Sequence, residues 1–302
     1  MSDTAASLLR KIDSAGDLQS VVRTMKAMAA SSISQYERSV RAVADYYRTV
    51  EWGLSVCIRG AGSTASMIAE PRQTAAGAVG AVVFGSDQGL VGQFNDLVTD
   101  FALGTLAGLS GKPQVWAVGE RVHARLADAG LPPLGLFPVP NSVKAIAPLV
   151  GQILVASETR HGRREVTELH LFYNRHTPDA VYAPVSQRLL PLDENWRRGL
   201  AELPWPAENL PEVFGDGSAT LRALIREYLF VSLFRACAES LASENASRLA
   251  AMQRAEKNID ELLENLRGTS HRLRQSGIDE ELFDVISGFE ALAEPRQPQA
   301  RK

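Results

Sequence analysis

The stretch GSDQGLVGQFND, residues 85–96, carries glycines at 85, 89 and 92 directly after the apolar run AVGAVVF, residues 78–84. A glycine-rich turn between a buried strand and a helix is how nucleotide-binding folds cradle phosphate. The glycines let backbone N–H groups come close, and the helix N-terminus favours an anion. A dinucleotide fold wants G-x-G-x-x-G with an acidic residue at the end of a second strand. Here the spacing is G-x-x-x-G-x-x-G, and no such acid follows at the right distance. A P-loop wants G-x-x-x-x-G-K-[ST], but the only Gly-Lys pair, Gly111-Lys112, runs into Pro113. Asp87 inside the loop would also repel a phosphate. The glycines therefore read as devices for tight turns, positive φ and close approach of neighbouring chain.

Other reactive side chains are no better arranged. Cys57 and Cys237 lie far apart in no metal or redox spacing, which suits a reducing compartment. His123, His161, His170, His176 and His271 are scattered, so neither a metal nor a cofactor is expected. There is no G-x-S-x-G elbow, no H-E-x-x-H and no cysteine beside a base; Glu280-Glu281 sits on a helical pattern as a solvated face. The net charge of −3 and pI near 6.0 leave no footprint for nucleic acid or an anionic membrane surface. Residues 1–18 lack the basic-then-apolar order of a secretion signal, and no apolar run is long enough to span a bilayer.

The elements that must position these residues fall into two kinds. Leu8, Ile12, Ala15, Leu18, Val22, Met25 and Ala29 begin a stripe that alternates steps of three and four through Tyr36, Val40 and Tyr47 to Leu54. That is a heptad seam, and no proline occurs before Pro71. Leu221, Leu224, Tyr228, Val231, Ala238, Leu241, Leu249, Met252, Ile259, Leu263, Leu266 and Leu273 repeat the spacing, with no proline until Pro295. Helices of this length, several times the ordinary average, predict an antiparallel coiled coil. Between the arms, strand-like runs at 79–84, 114–118, 134–139, 166–174 and 180–190 alternate with helical patterns at 94–109, 119–129 and 142–159. This order predicts a mostly parallel sheet with an antiparallel edge. The expected layout is an N-terminal arm 1–58, a connection 59–76, a Rossmann-like α/β domain 77–192, a linker 193–217, a C-terminal arm 218–292 and a disordered tail 293–302.

Four stretches carry a resemblance. DQGLVGQFN (87–95) is similar to a D-x-G-L-C-G-x-x-N signature, with Val91 in the cysteine position. LQSVVRTMKAMAA (18–30) follows T-x-K-I-T-x-A-M-x-M-V-A and sets Met25 and Met28 on its methionines. ASENASRLAAMQRAEKN (242–258) follows A-S-E-x-x-A-R-M-x-A-M-x-x-A-x-x-N, and RQSGIDEELFDVISGFEAL (274–292) follows R-Q-x-x-I-T-x-E-L-x-E-I-V-S-G-x-x-A-L. In order and in span, these resemble the γ subunit of F-type ATP synthases. Asp279 stands where that pattern has threonine, and Ser32-Ile33 where a basic residue often follows, as in a divergent bacterial branch.

The resemblance implies a rotor subunit that transmits torque and has no chemistry of its own. Its partners would be the α and β subunits of a catalytic hexamer, an ε subunit and a membrane c-ring, with no nucleic acid. It would sit peripherally on the cytoplasmic face of a bacterial inner membrane. By the same resemblance Arg274, Gln275 and Asp279 grip the β subunits, Met25 and Arg248 couple at the coil seam, and Asp87, Gly89, Leu90, Gly92 and Asn95 form a neck loop near the β levers. If Met25 faces Arg248, as the family's packing implies, Tyr36 falls near Cys237, Leu8 near Leu266, and Cys57 and Cys237 stay unbonded. The helix beyond about residue 272 then has no N-terminal partner, yet presents Ile278, Leu282, Val285, Ile286 and Phe289 on one face; such a stripe marks a partner surface. The same layout also fits a stand-alone coiled-coil scaffold with an α/β partner-binding domain and, less well, a nucleotide-dependent oxidoreductase.

Overall fold

The computed structural model describes residues 5–60, 78–162, 166–177, 180–192, 194–209, 211–213 and 217–293. Most of the expected connection at 59–76, and the expected tail after Ala293, lie outside them. The elements run α1 (Ala5–Gly60), β1 (Ala78–Phe84), α2 (Phe94–Ala107), β2 (Pro113–Val118), α3 (Glu120–Asp128), β3 (Gly135–Phe137), α4 (Val143–Gly162), β4 (Val166–Arg175), β5 (Ala183–Leu190), α5 (Glu194–Ala201) and α6 (Gly217–Ala293). The 56 residues of α1 and the 77 of α6 contain no proline, so no backbone donor is missing from either ladder. Both long helices and the alternating middle are as the periodicity predicts.

The chain divides into two compact units, one joining residues up to Lys26 with those from Met252, the other running from Ala27 to Ala251. In the first, α1 buries Leu8, Ala15 and Val22, one residue in seven, and α6 buries Met252 and Leu263. Leu18, read as a seam residue, is instead exposed, and Met25 is only half-buried. A two-helix pair covers one narrow seam, so the flanking apolar positions stay open. Polar bonds tie the pair: Gln19 donates to Asp260, and Arg23 and Lys26 both reach Glu256, at 3.0 and 2.6 Å. This register lies several residues further along α6 than pairing Leu8 with Leu266 would give.

In the second unit the sheet has the order β3-β2-β1-β4-β5, parallel except for the β4–β5 pair. The central strands β1, β2 and β4 are buried along most of their length, as their apolar runs require, while the edge strands β3 and β5 are half-exposed. Val79, Ala81 and Val83 meet Val98, Ala102 and Leu106 of α2 and Val122 and Leu126 of α3. Val82 and Phe84 join the opposite core, with Ile146, Val150 and Ile153 of α4, Leu54 of α1 and Leu233 of α6. In this unit α1 pairs with α6 through Tyr47 and Tyr228, whose ring centroids are 5.6 Å apart, and through Tyr46, whose hydroxyl donates to Glu227 at 2.8 Å. Tyr36 lies within electrostatic reach of Cys237, and Cys57 and Cys237 are both buried free thiols.

The stretch 193–217, read as linker, contains helix α5. Its amphipathic turn buries Leu200 and sets Trp196 edge-on to Tyr228 at 5.2 Å. Three nearby prolines mark this stretch as a connection back to the coil, to which periodicity assigns no element; tertiary burial of one apolar face supports this short helix.

Candidate functional site

The loop after β1 is held from three sides. Asn95, at the start of α2, accepts the Ser86 N–H at 2.9 Å and donates to the Ser86 hydroxyl at 2.9 Å; that hydroxyl donates to the Gln88 carbonyl at 2.8 Å. Asp87 accepts the N–H of Glu120, the first residue of α3, at 3.0 Å, and the N–H of Val139, just past β3, at 2.9 Å. The N-terminus of α3, rather than that of α2 which follows the glycines directly, thus holds the chain's own carboxylate. Asp87 is a tether joining three segments, and these donors are already spent.

Only some of the glycines act as expected. A Cβ on Gly85 would come within 2.4 Å of Val122 Cβ, so that glycine permits close helix packing. Gly92 has φ +57°, a conformation glycine adopts freely. Gly89, however, is neither crowded nor left-handed: a Cβ there would meet nothing nearer than Arg121 Nη2 at 3.6 Å. The left-handed residue beside Gly92 is Leu90, with φ +63° and an exposed side chain. A leucine in that region is strained. Gly119, which sequence reading passed over, has φ +112° and would drive a Cβ to 2.8 Å from the Ser86 carbonyl oxygen.

The loop also meets α6. Val91, between the two left-handed residues, is buried, and its carbonyl accepts the Ser247 hydroxyl. Tyr182, after β4, places its ring edge-on to Phe94 at 5.4 Å and its hydroxyl 3.5 Å from that of Ser247. Asn174 donates to the Phe94 carbonyl at 2.9 Å. One turn before Ser247, the buried Glu244 carboxylate takes the Arg248 guanidinium at 2.6 Å. Burial pushes its pKa up, Arg248 opposes that, and neighbouring Asp87 adds to it. Two stretches distant in sequence, the loop 87–95 and the Glu244–Arg248 turn of α6, are therefore one site in space. Periodicity gave no sign of Ser247, Tyr182 or Asn174, because their partners lie many residues away.

Arg274, Gln275 and Asp279 are exposed on α6, as are Ile278, Leu282, Val285, Ile286 and Phe289, at 45–73%. From His271 to Phe289, only Gly277 is less than exposed. Among the described residues no cluster of histidine, cysteine and acids could hold a metal, and no helix is long and apolar enough to cross a membrane.

Comparison with known proteins gives this layout its relatives. The sequence profile of the family described as ATP synthase matches residues 4–292. The ATP synthase gamma chain of Clavibacter sepedonicus is 28% identical over 295 residues, covering 94% of this chain and 96% of that one. That of Sorangium cellulosum is 29% identical over 327 residues, covering 95% and 98%. A chain of the Euglena gracilis mitochondrial ATP synthase assembly of OSCP, F1 and c-ring superposes with a TM-score of 0.61 at 16% identity, covering 99% of this chain and 98% of that chain. A chain of the Tetrahymena thermophila central stalk and c-ring gives 0.54 at 20% identity, covering 78% and 99%. At those identities the structures speak for the fold, and the profile, matching nearly end to end, for the family. The chain belongs to the ATP synthase gamma family, that of central-stalk rotor subunits.

Proposed function

We propose that this chain carries torque between an ion-driven membrane ring and the catalytic α/β hexamer of an F-type ATP synthase, with no catalytic step of its own. The observation that carries the reading is the end of α6, where a helix leaves large apolar side chains with no cover among the described residues. A surface of that kind needs a partner. Apolar contact is non-directional, so a collar around it can hold an axle without fixing its angle. Arg274, Gln275 and Asp279 supply the directional contacts to β subunits, Met25 and Arg248 support coupling along the coil, and Leu90 is the apolar point the neck loop offers to a β lever. The ε subunit and the c-ring bind the α/β domain. The complex lies peripherally on the cytoplasmic face of a bacterial inner membrane.

Affinity purification of the full chain from its own cells should bring down α, β and ε subunits together, and the assembled complex should rotate the chain on ATP hydrolysis. A chain recovered free of α and β subunits would favour the coiled-coil scaffold instead. Isolated chain should show no ATPase activity and no micromolar nucleotide binding by calorimetry.

A further inference from the structure

In an open, mostly parallel sheet, a crevice forms beyond the carboxyl ends of two neighbouring strands whose onward connections leave in opposite directions, and ligands settle there. In the order β3-β2-β1-β4-β5 that pair is β1 and β4: β1 leads through α2 to β2 on one side, and β4 leads to β5 on the other. What fills this crevice is the chain's own helix α6. Ser247, 5% exposed, enters between the loop after β1 and Tyr182 after β4, and bonds the Val91 carbonyl.

The backbone is distorted where it makes this bond. Leu90 and Gly92, both left-handed, flank Val91, so the carbonyl is presented out of the course an extended or helical chain would give it. Strain at a non-glycine residue persists only where surrounding structure over-determines it. Here Asp87 and Asn95 fix both ends of the loop. The Asp87 bonds already tie the loop to α3 and to the end of β3, and the Ser86 carbonyl accepts the Arg121 N–H of α3 at 2.9 Å. Asn174 of β4 bonds the Phe94 carbonyl where the loop enters α2, so a load on the sheet reaches α6 through it.

We infer that this crevice is the joint at which the α/β domain and α6 turn as one body, with Ser247 and the Val91 carbonyl as its latch. The inference rests on the reading of the chain as a rotor, and makes Ser247 a positioning residue for torque transfer.

The test uses the assembled complex carrying S247A. Removing the donor should raise the open population of the loop about five-fold, the worth of one ordinary hydrogen bond. Amide exchange over residues 85–95 should quicken accordingly. Ion pumping should fall relative to ATP hydrolysis, whereas a merely structural defect would lower both together. If S247A does not assemble, S247C, close in shape but a weak donor, makes the same comparison at smaller amplitude. Wild-type exchange together with a wild-type ratio of pumping to hydrolysis would overturn the latch. A wild-type complex that hydrolyses ATP without pumping would sink the rotor reading, while the exchange result would still report on the joint.

Discussion

Two stretches of the one helix α6 invert the usual distribution of residues. Ala236 to Asn245, ACAESLASEN, is buried at every position, although half of it is serine, glutamate or asparagine. Ile278 to Phe289 is exposed at every position, although it holds Ile278, Leu282, Phe283, Val285, Ile286 and Phe289. The buried stretch is crowded by α1 and the sheet, and small residues let those neighbours approach. Its acids find partners: Glu239 takes Arg235 at 2.8 Å and Glu244 takes Arg248 at 2.6 Å. The exposed stretch has large apolar side chains that no described residue covers. Burial by the surrounding chain marks a structural segment, and apolar exposure is the feature from which the partner surface is proposed.

The strongest test of that contrast removes the exposed end. Truncation after Arg272 should leave the sheet domain and the paired helices folded, because no described residue covers what is lost. Each large apolar side chain is worth about 1.5–3 kcal/mol when fully buried, and a sliding contact realises part of it. Thermal dissociation of the assembled complex should therefore come at lower temperature, with reduced single-molecule torque. A truncated subunit that dissociates no more readily and drives full torque would break the comparison.

Arg248→Ala tests the buried side. It leaves the Glu244 carboxylate enclosed without its cation, a change that costs about 3 kcal/mol where a pair is well buried. The sign with pH is fixed by the direction of the shift. A raised carboxyl pKa favours the neutral form in the folded chain, so its contribution is present at acid pH and is lost as pH rises through the folded value. Removing Arg248 raises that value further. The deficit against wild type should grow from acid to neutral pH in circular dichroism melts, and a deficit independent of pH would count against the pair.

A smaller contrast separates two glycines of the loop pressed against the buried stretch. Gly85→Ala must displace Val122 and Asn95 and should cost about 1–3 kcal/mol. Gly89→Ala meets only Arg121 at 3.6 Å and should stay within about 0.5 kcal/mol in denaturant titrations. Equal losses at the two positions would show that the signature constrains the loop by something other than local space.

The smallest effect is expected at Glu256. Hydrogen bonds from Lys26 and then Arg23 hold its carboxyl below the usual glutamate range. Its contribution is present above the unfolded value and lost as pH falls through the lowered one. Amides near Gln19 to Lys26 should exchange faster on acidification, and Glu256→Gln should abolish that dependence.

The two long helices, the alternation of strands and helices between them and the apolar end of α6 were legible in the sequence because each rests on local periodicity. Spacings of three and four along a proline-free run determine a helix and its apolar stripe, and short apolar runs between turn signals determine buried strands. The loop was legible as a place of tight backbone, since glycine announces conformational freedom. Which glycine uses that freedom was not: Leu90 takes the left-handed position that Gly89 does not need. Leu18 was misread and α5 left unassigned because burial, which decides both, depends on neighbours remote in the chain. Only the tertiary structure turned Asp87 from a phosphate repellent into a tether and brought Ser247 to Val91, 156 residues away in sequence. A hydrogen bond between such distant residues leaves no periodic trace, because packing selects the partner and no repeat along the chain records it.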